Sequence, residues 1–532
     1  MSTEQDKSTG DSTIGGRWSK LDSMRTAHLN RARYCSELTI PSLLPKEGTD
    51  ENTPLPTPFQ SLGARCSNNL AAKLLLTLFP PNTPSHRLDV PPALIAELKE
   101  KMGEDDFRTK IEEKLATIER TITSKFESDG ARVEAFRILR LLLVTGDVLV
   151  EYPKEGSMTY YRLDKYVVRR NPAGKPVEII LKEEILKEEI PEVVKAQVTT
   201  DVKEKAALYT QYKLDGNTWT MTQEICGVTV PGVGGTYPKD QCPVIPLPWT
   251  LADGENYGRG HVEEYLGDFI SLESLTQSIV EGSAAAARIL FLIDPNGTTN
   301  AEDLKKTPNG GCAVGRKDDV TTLQLDKYAD FKIAYEAINK IESRLSAAFL
   351  LRDSVQRQAE RVTAQEIRYM AQELEDSLGG IYSVLSQSFQ KPTILMYKRR
   401  MEKTGEIVKL PNDVTVTITT GFEALGRGHD LNKIRGLMED IAPFKEAALH
   451  EFNLSDLITR LCTAHGIDKA GLVLTEEEKA TKKQETELMQ MLQSLGPNAV
   501  NALGQLLKQK MAGDQAQGES PAMPAIPGMT PQ

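Results

Sequence analysis

Apolar residues recur along this chain at two periods, and the changes of period divide it. From Arg17 to Arg33, Trp18, Leu21, Met24 and Leu29 stand among arginines at helical spacing, until Pro41 and Pro45 break the pattern. Ser61 to Phe79 is a stronger helix, ended by Pro80 and Pro81. Pro91 to Ala116 and Ile118 to Leu143 read as two more helices, with polar linkage near Gly103. At Gly146 and Asp147 the period shortens. Val148 to Tyr152, Tyr160 to Arg169 and Val177 to Lys182 are strand-like, and Leu208 to Leu214 and Trp219 to Ile225 flank Asp215-Gly216-Asn217, a hairpin signal. Residues 148 to 250 are therefore expected to be mainly antiparallel sheet, interrupted by a Lys/Glu-rich segment from Lys182 to Lys205.

Helical spacing returns from Val262 to Ala287, with Val262, Leu266, Phe269, Leu272, Leu275 and Ile279 on one stripe and small residues, Ala284 to Ala287, at its end. A compact insert follows from Leu290 to Leu325, with strand-like runs at Leu290 to Ile293, Cys312 to Val314 and Val320 to Leu325. A second helix runs from Tyr328 to Leu351. At a rise of about 1.5 Å per residue the two helices span about 40 Å and about 35 Å. Helices of similar length on both sides of a small insert predict an antiparallel hairpin with the insert at its tip.

The segment after that hairpin, Arg352 to Val362, carries three arginines, two glutamines and almost no apolar mass. Thr363 and Glu366 then form a capping box, so a helix restarts sharply, with Ile367, Met370, Leu374, Leu378, Ile381 and Leu385 at spacings of three and four. Gly379-Gly380 predicts a kink within it. Val414 to Thr419 alternates as a strand. Helical patterns recur over Ile434 to Ile441, Leu454 to Ala464 and Glu476 to Leu495, the last behind a capping box of Thr475 and Glu478. Residues 1–16 and 513–532 read as disordered from composition.

With 532 residues, 39% hydrophobic and 26% charged, the chain is long enough for two to four domains and has the balance of a folded soluble protein. No apolar run reaches bilayer length: Lys73 interrupts Leu70 to Phe79, and Arg140 interrupts Ile138 to Val144. Six scattered cysteines without a CxxC pair fit a reducing compartment, and six histidines show no metal-ligand spacing. A net charge of -11 argues against a free-standing nucleic-acid binder, but it suits a wall past which DNA slides, because like charge repels phosphate.

No catalytic constellation stands out. A phosphate-binding GxxxxGK[ST] loop is missing, and so is GxSxG. Gly232-Val-Gly234-Gly235 lacks the helix and lysine that nucleotide binding needs. Gly258-Arg-Gly260 and Gly426-Arg-Gly428 read as turns ahead of helices, with phosphate binding as the alternative. The polar segment 352–362 reads either as a solvated connector or as a contact surface whose Arg and Gln side chains touch phosphates without reading bases.

Five stretches, in order, resemble the portal (head-to-tail connector) proteins of short-tailed podoviruses. They are Arg17-Trp-Ser-Lys-Leu-Asp-Ser-Met-Arg25; Ser61-Leu-Gly-Ala-Arg-Cys-Ser-Asn-Asn-Leu-Ala71 with Leu78-Phe-Pro80; Thr236-Tyr-Pro-Lys239 with Tyr257-Gly-Arg259 and Glu263-Glu-Tyr-Leu-Gly-Asp268; Val355 to Arg368; and Glu373 to Ser383. The resemblance implies an α+β portal fold, mostly helical, with an antiparallel β wing region. It assigns residues 1–258 and 363–428 to the wing, 259–289 and 327–351 to two stem helices, 290–326 to a small α/β clip, 352–362 to a tunnel loop and 429–512 to a helical crown. It further implies a non-enzymatic dodecameric ring around double-stranded DNA at one capsid vertex of the virion, assembled in the host cytoplasm, with no cofactor, metal or membrane. The expected partners are scaffolding and major capsid proteins, the terminase large subunit and a tail adaptor protein. Arg352, Gln356, Arg357, Gln358 and Arg361 are then expected to line the channel, and Asn296, Lys305, Lys306, Arg316 and Lys317 to meet docking partners. The rival readings are a packaging nuclease or NTPase and a poreless head-tail adaptor or scaffold.

Overall fold

The structure, a computed structural model, describes residues 13–50, 52–81, 84–91, 107–195, 204–286, 290–308, 310–323, 328–351, 370, 373–374, 376–378, 380–411 and 414–418. The chain divides into two units, Met1–Gly426 and Arg427–Gln532. The second unit lies outside the described residues, and with it the helices expected after Asp430.

Helices α1 (Ile14–Met24) and α2 (Thr26–Leu38) replace the single helix expected over Arg17 to Arg33, and α1 begins inside the segment 1–16 expected to be disordered, because the Thr13 side chain caps it by accepting from the Gly16 amide. Arg25 makes the break: its guanidinium is buried, donates to the Leu163 carbonyl and pairs with Asp22 at 2.8 Å. Helix α3 (Leu62–Leu78) follows, with Leu70, Leu74 and Leu78 fully buried, and then strand β1 (His86–Asp89), which the pattern did not reveal. Helices α4 (Phe107–Ser128) and α5 (Ala131–Thr145) split the helix expected from Ile118 to Leu143. Gly130 sits between them at φ +72°, a left-handed conformation that ends one helix and re-aims the next.

The β region has two sheets. Strands β2 (Asp147–Glu151), β3 (Thr159–Tyr161) and β9 (Val244–Pro248) form one, in the order β3-β2-β9, with Val148 opposite Leu247 and Val150 opposite Ile245. Strands β4 (Tyr166–Arg170), β5 (Pro176–Leu186), β6 (Lys205–Asp215), β7 (Thr218–Ile225) and β8 (Val228–Pro238) form an antiparallel meander in sequence order. Apolar residues run on continuously in β4 and β5 because both faces are covered. Tyr166, Val168, Ile179 and Leu181 point into a core shared with β2 and β9, while Val167 and Ile180 pack under Trp18 and Leu21 of α1. The Lys/Glu-rich segment does not interrupt this sheet from Lys182 on. β5 continues to Leu186, since Ile185 and Leu208 pack on a small separate core of Ile190, Val194 of the short helix α6 (Glu192–Lys195), Ala206, Ile225 and Val230. Gly234 and Gly235 pair with Thr222 and Met221 at the β8 edge, so the Gly-rich run is strand.

Beyond β9 come α7 (His261–Glu264), α8 (Leu266–Ala286), β10 (Leu290–Ile293), α9 (Ala301–Lys306), β11 (Val320–Leu323) and α10 (Tyr328–Ala348). The kink expected at Gly379-Gly380 falls at Gly380, which stands at φ +88° before α11 (Ile381–Leu385), a π-helical turn at Ser386–Gln390 and α12 (Lys391–Thr404). Strand β12 (Thr415–Ile418) closes the unit antiparallel to β1, with His86 opposite Ile418. The main core collects α3, α5, α12 and the inner ends of α8 and α10 around Phe79, Phe126, Phe389 and Tyr397.

Sheet and helices meet at a joint of glycines. Gly146 stands at φ +82°, and a Cβ there would lie 2.4 Å from the Gly258 carbonyl and 2.5 Å from the Gly260 amide. Gly258-Arg-Gly260 is not the expected turn: Arg259 bridges antiparallel to Thr250, and Gly260 is extended and caps α7, with both glycines pressed backbone to backbone against the end of α5. Asp147, fully buried, fastens the joint: it accepts from the Tyr166 hydroxyl and from the Gly258 amide at 3.0 Å. Arg170 is only 3.9 Å away but donates to three backbone carbonyls, of Asn256, Gly174 and Pro246. Burial therefore dominates and pushes the Asp147 carboxyl up to about 6, while Arg170 and the hydrogen bonds pull it down. Because the folded value lies above the ordinary 3.8, the bound proton favours the native state. That stability is fully present below the ordinary carboxylate value and is lost as pH rises through about 6. A rise of this size corresponds to about 3 kcal/mol. We predict that the stability of the native chain relative to Asp147→Asn falls by about 2 kcal/mol between pH 4 and pH 7. Denaturant titrations at several pH values measure it, and a pH-independent difference rules it out.

Candidate functional site: the helix hairpin and its two ends

Helices α8 and α10 form the expected antiparallel hairpin. Asp268 pairs with Arg344 at 2.6 Å near one end. Near the other, Gly282 lies so close to the Phe331 ring that a Cβ would come within 2.8 Å. This close approach is made by Gly282 and not by the alanine run, where Ala284 and Ala285 are exposed. The helix expected from Val262 is broken at Tyr265, between α7 and α8. At the base, His261, Tyr265, Phe269 and Phe349 form an aromatic cluster with ring centroids 4.7 to 5.8 Å apart. Burial ends abruptly above it. No described residue of α8 is buried beyond Leu272, and none of α10 before Ile338. Ile270 and Val280 on α8, and Ile333 and Tyr335 on α10, stand exposed outside the stripe along which the two helices touch.

The insert at the far end is a small α/β module. β10 and β11 pair antiparallel, Leu290 opposite Leu323, with α9 in the connection. The strand expected at Cys312 to Val314 does not form: these residues lie between Gly310-Gly311 and Gly315 with no ladder partner, and Val314 is 92% exposed. The five docking candidates all lie exposed on this module. The Asn296 amide donates to Asp294 Oδ1 at 2.9 Å in a turn. Lys305 and Lys306 end α9, where the helix dipole favours positive charge, and Lys306 meets Glu302 at 3.3 Å. The Arg316 amide donates to Thr299 Oγ1 at 3.0 Å, and Lys317 is next to it. Two basic pairs, Lys305 with Lys306 and Arg316 with Lys317, are thus carried by different segments.

Asp319, which no spacing pointed to, organises these segments. Its Oδ2 accepts from the Thr298 and Thr299 amides at 2.9 and 3.2 Å and from both hydroxyls. The Thr299 hydroxyl, more than the rest, holds this carboxylate below its usual range. We predict that Asp319→Ala brings the Thr298 and Thr299 amides close to open-chain hydrogen-exchange rates while the main core keeps its protection. Unchanged exchange at both amides contradicts this.

At the hairpin's other end the chain leaves α10 through Leu350 and Leu351. Asn69 and Lys73 of α3 meet the carbonyls there, with Lys73 Nζ 2.8 Å from the Leu350 oxygen. Arg352, Gln356, Arg357, Gln358 and Arg361 follow and lie outside the described residues, as does Gly426-Arg-Gly428. Sequence reasoning missed Asn69, although Lys73 had been visible as the lysine inside an apolar run.

Other chemistry is sparse among the described residues. They contain no group of three His, Cys, Asp or Glu side chains placed to hold a metal, and no helix long and apolar enough to cross a membrane. The five described cysteines are free, and burial pushes the Cys35, Cys66 and Cys242 thiols up to about 12, which keeps them protonated and unreactive.

Comparison with known proteins identifies this architecture. Residues 11–473 match the family of bacteriophage head to tail connecting proteins. The portal protein of Escherichia phage T7 is 40% identical over 504 residues, covering 91% of this chain and 93% of the relative. That of Enterobacteria phage T3 is 40% identical over 485 residues, covering 88% and 90%. That of Enterobacteria phage SP6 is 30% identical over 434 residues, covering 80% and 82%. Among solved structures, the neck of a native GTA particle computed with C12 symmetry aligns over 70% of this chain and 85% of its own, at 10% identity and a TM-score of 0.33. The chain belongs to the bacteriophage head-to-tail connecting proteins. Within that class it falls among the portal proteins of the podophages.

Proposed function

We propose that the chain works as a portal: a ring of identical subunits, twelve in number, through which double-stranded DNA passes at one vertex of the capsid. The observation that carries this reading is the hairpin of α8 and α10. Among the described residues, its distal half contains no buried side chain, and Val280 is 50%, Ile333 67% and Tyr335 61% exposed. Two helices alone in water do not hold such a surface. Full burial of each such side chain is favourable by about 1.5–3 kcal/mol, and a neighbouring hairpin on either side supplies it. Sideways association of a repeated hairpin closes a ring with the hairpins as its stem. In this assignment residues 290–326 are the clip, 352–362 the tunnel loop, residues 1–258 and 363–428 the wing and 429–512 the crown.

The chemistry divides accordingly. The two exposed basic pairs and Asn296 present a docking surface for the terminase large subunit and later for the tail adaptor. Scaffolding and major capsid proteins meet the wing. The ring itself catalyses nothing; hydrolysis of ATP belongs to the motor. Arg352, Arg357 and Arg361, with Gln356 and Gln358, touch phosphates at the narrowest point without base specificity, and the acidic balance of the chain keeps contact weak enough for sliding.

Electron microscopy of the purified protein is expected to show rings with an aperture wide enough for a duplex. Val280→Asp combined with Ile333→Asp is expected to abolish those rings while the far-UV circular dichroism of the subunit stays unchanged. Compact particles without an aperture favour the adaptor reading, and intact rings from the double variant remove the hairpins from the interface. For the arginines, Arg357→Ala with Arg361→Ala is expected to lower the fraction of heads that retain a full genome. Heads that package and retain DNA as before exclude that role.

A further inference from the structure

The C-terminus of α10 is closed in an unusual way. The Leu351 amide donates back to the Ser346 carbonyl at 2.7 Å and the Leu350 amide to Ala347 at 3.2 Å, the paired bonds of a Schellman stop. The residue in the left-handed position of that motif is normally glycine. Here it is Leu350, at φ +53°, a conformation costly for a branched side chain. Three carbonyls of the last turn remain, and side chains from two other helices face all of them. His261 Nε2 on α7 stands 3.3 Å from the Ala348 oxygen. Asn69 Nδ2 donates to Phe349 at 3.2 Å and to Leu350 at 3.0 Å. Lys73 Nζ donates to Leu350 at 2.8 Å. Lys73 has a second contact, to Glu373 Oε2 at 3.5 Å, and both side chains are largely shielded, at 18% and 15% exposure.

Leu350 and Glu373 stand on opposite sides of residues 352–372 in the sequence, and one ammonium group touches both. We propose that Lys73 is a positioning residue. With Asn69 and His261 it clamps the end of α10, and through Glu373 it holds the two flanks of residues 352–372 at a fixed separation. The strained backbone at Leu350 fits this role: a conformation that L-residues avoid persists where surrounding groups over-determine it, and here a buried side chain and two side-chain donors do so. A lysine is suited to the task because its three donors radiate from one point and serve a carbonyl and a carboxylate together. The consequence for DNA rests on the reading of residues 352–362 as the channel contact; the clamp itself does not.

Amide hydrogen exchange on assembled full-length protein tests the clamp. Lys73→Met is expected to speed exchange about tenfold at residues 349–351 and also at 373–378, the size of effect expected for losing a charge-assisted hydrogen bond, while core residues 138–144 serve as an unchanged control. Lys73→Arg is expected to keep both flanks protected. Glu373→Gln loosens the 373–378 flank, and its effect there is less than additive with that of Lys73→Met, since the two share a contact. Faster exchange at a single flank in Lys73→Met, or fully additive effects of the two substitutions at 373–378, overturns the proposal. If Lys73→Met does not assemble, Glu373→Gln alone decides: no change at 373–378 sinks it. DNA retention by heads built with the same variants is a separate arm. Faster exchange with normal retention keeps the clamp and discards the DNA contact at residues 352–362; unchanged exchange discards the clamp whatever the retention.

Discussion

The constraint on which this structure turns is that apolar burial stops partway along its two longest paired helices. Below Leu272 and Ile338, α8 and α10 are gripped by the aromatic cluster of His261, Tyr265, Phe269 and Phe349 and become part of the main core. Above that level each helix has the other for a partner and little else within the chain. Side chains such as Ile333 and Tyr335 then make water a poor neighbour, and the solution available to a repeated subunit is a second copy. The rest of the fold can be understood as what makes that hairpin project from a fixed base: the glycine joint at Gly146, Gly258 and Gly260, the buried Asp147 behind it, and the capture of the α10 end by α3.

Much of this was visible in the chain before any coordinates. The hairpin was legible because its period is long and uninterrupted, and because helices of similar length bracket an insert rich in Gly and Asn. Breaks inside helical patterns were not. Gly130 leaves the apolar spacing nearly in phase on both sides, so the pattern from Ile118 to Leu143 looked continuous, although the left-handed backbone turns the chain there. The alternation from Val414 to Thr419 predicts β12 correctly, but its partner β1 is four residues long and lies more than three hundred residues away, so no local signal marks β1. Cys312 to Val314 failed in the opposite sense. Strand-forming composition was present, but a strand exists only through its ladder, and glycines on both sides left it without one.

The residues proposed for function divide the same way. The docking candidates were legible as one amide and four basic residues on a polar insert, and all five are exposed. What the sequence did not reveal is the carboxylate that organises their segments, because Asp319 meets Thr298 and Thr299 across about twenty residues of chain. Lys73 was the converse case. It stands as a polar break in an apolar run, and only the fold brings its ammonium to the Leu350 carbonyl and the Glu373 carboxylate.

The capture of the α10 end bears on the polar composition of residues 352–362, on the reading proposed for them. A helix that ends in solvent usually needs glycine or asparagine just past its end, and the following residues supply the remaining bonds. Here the last carbonyls of α10 are faced by Asn69, Lys73 and His261, which belong to other helices. Residues from Arg352 onward are therefore relieved of capping duty. They can be chosen for what they touch, and arginines and glutamines can follow a helix end directly. In the proposed arrangement, stability comes from a clamp in the body and the contact chemistry from the segment that it flanks. A change in one then need not disturb the other, which is the arrangement expected where a subunit must stay rigid and its contact with a moving polymer must stay weak.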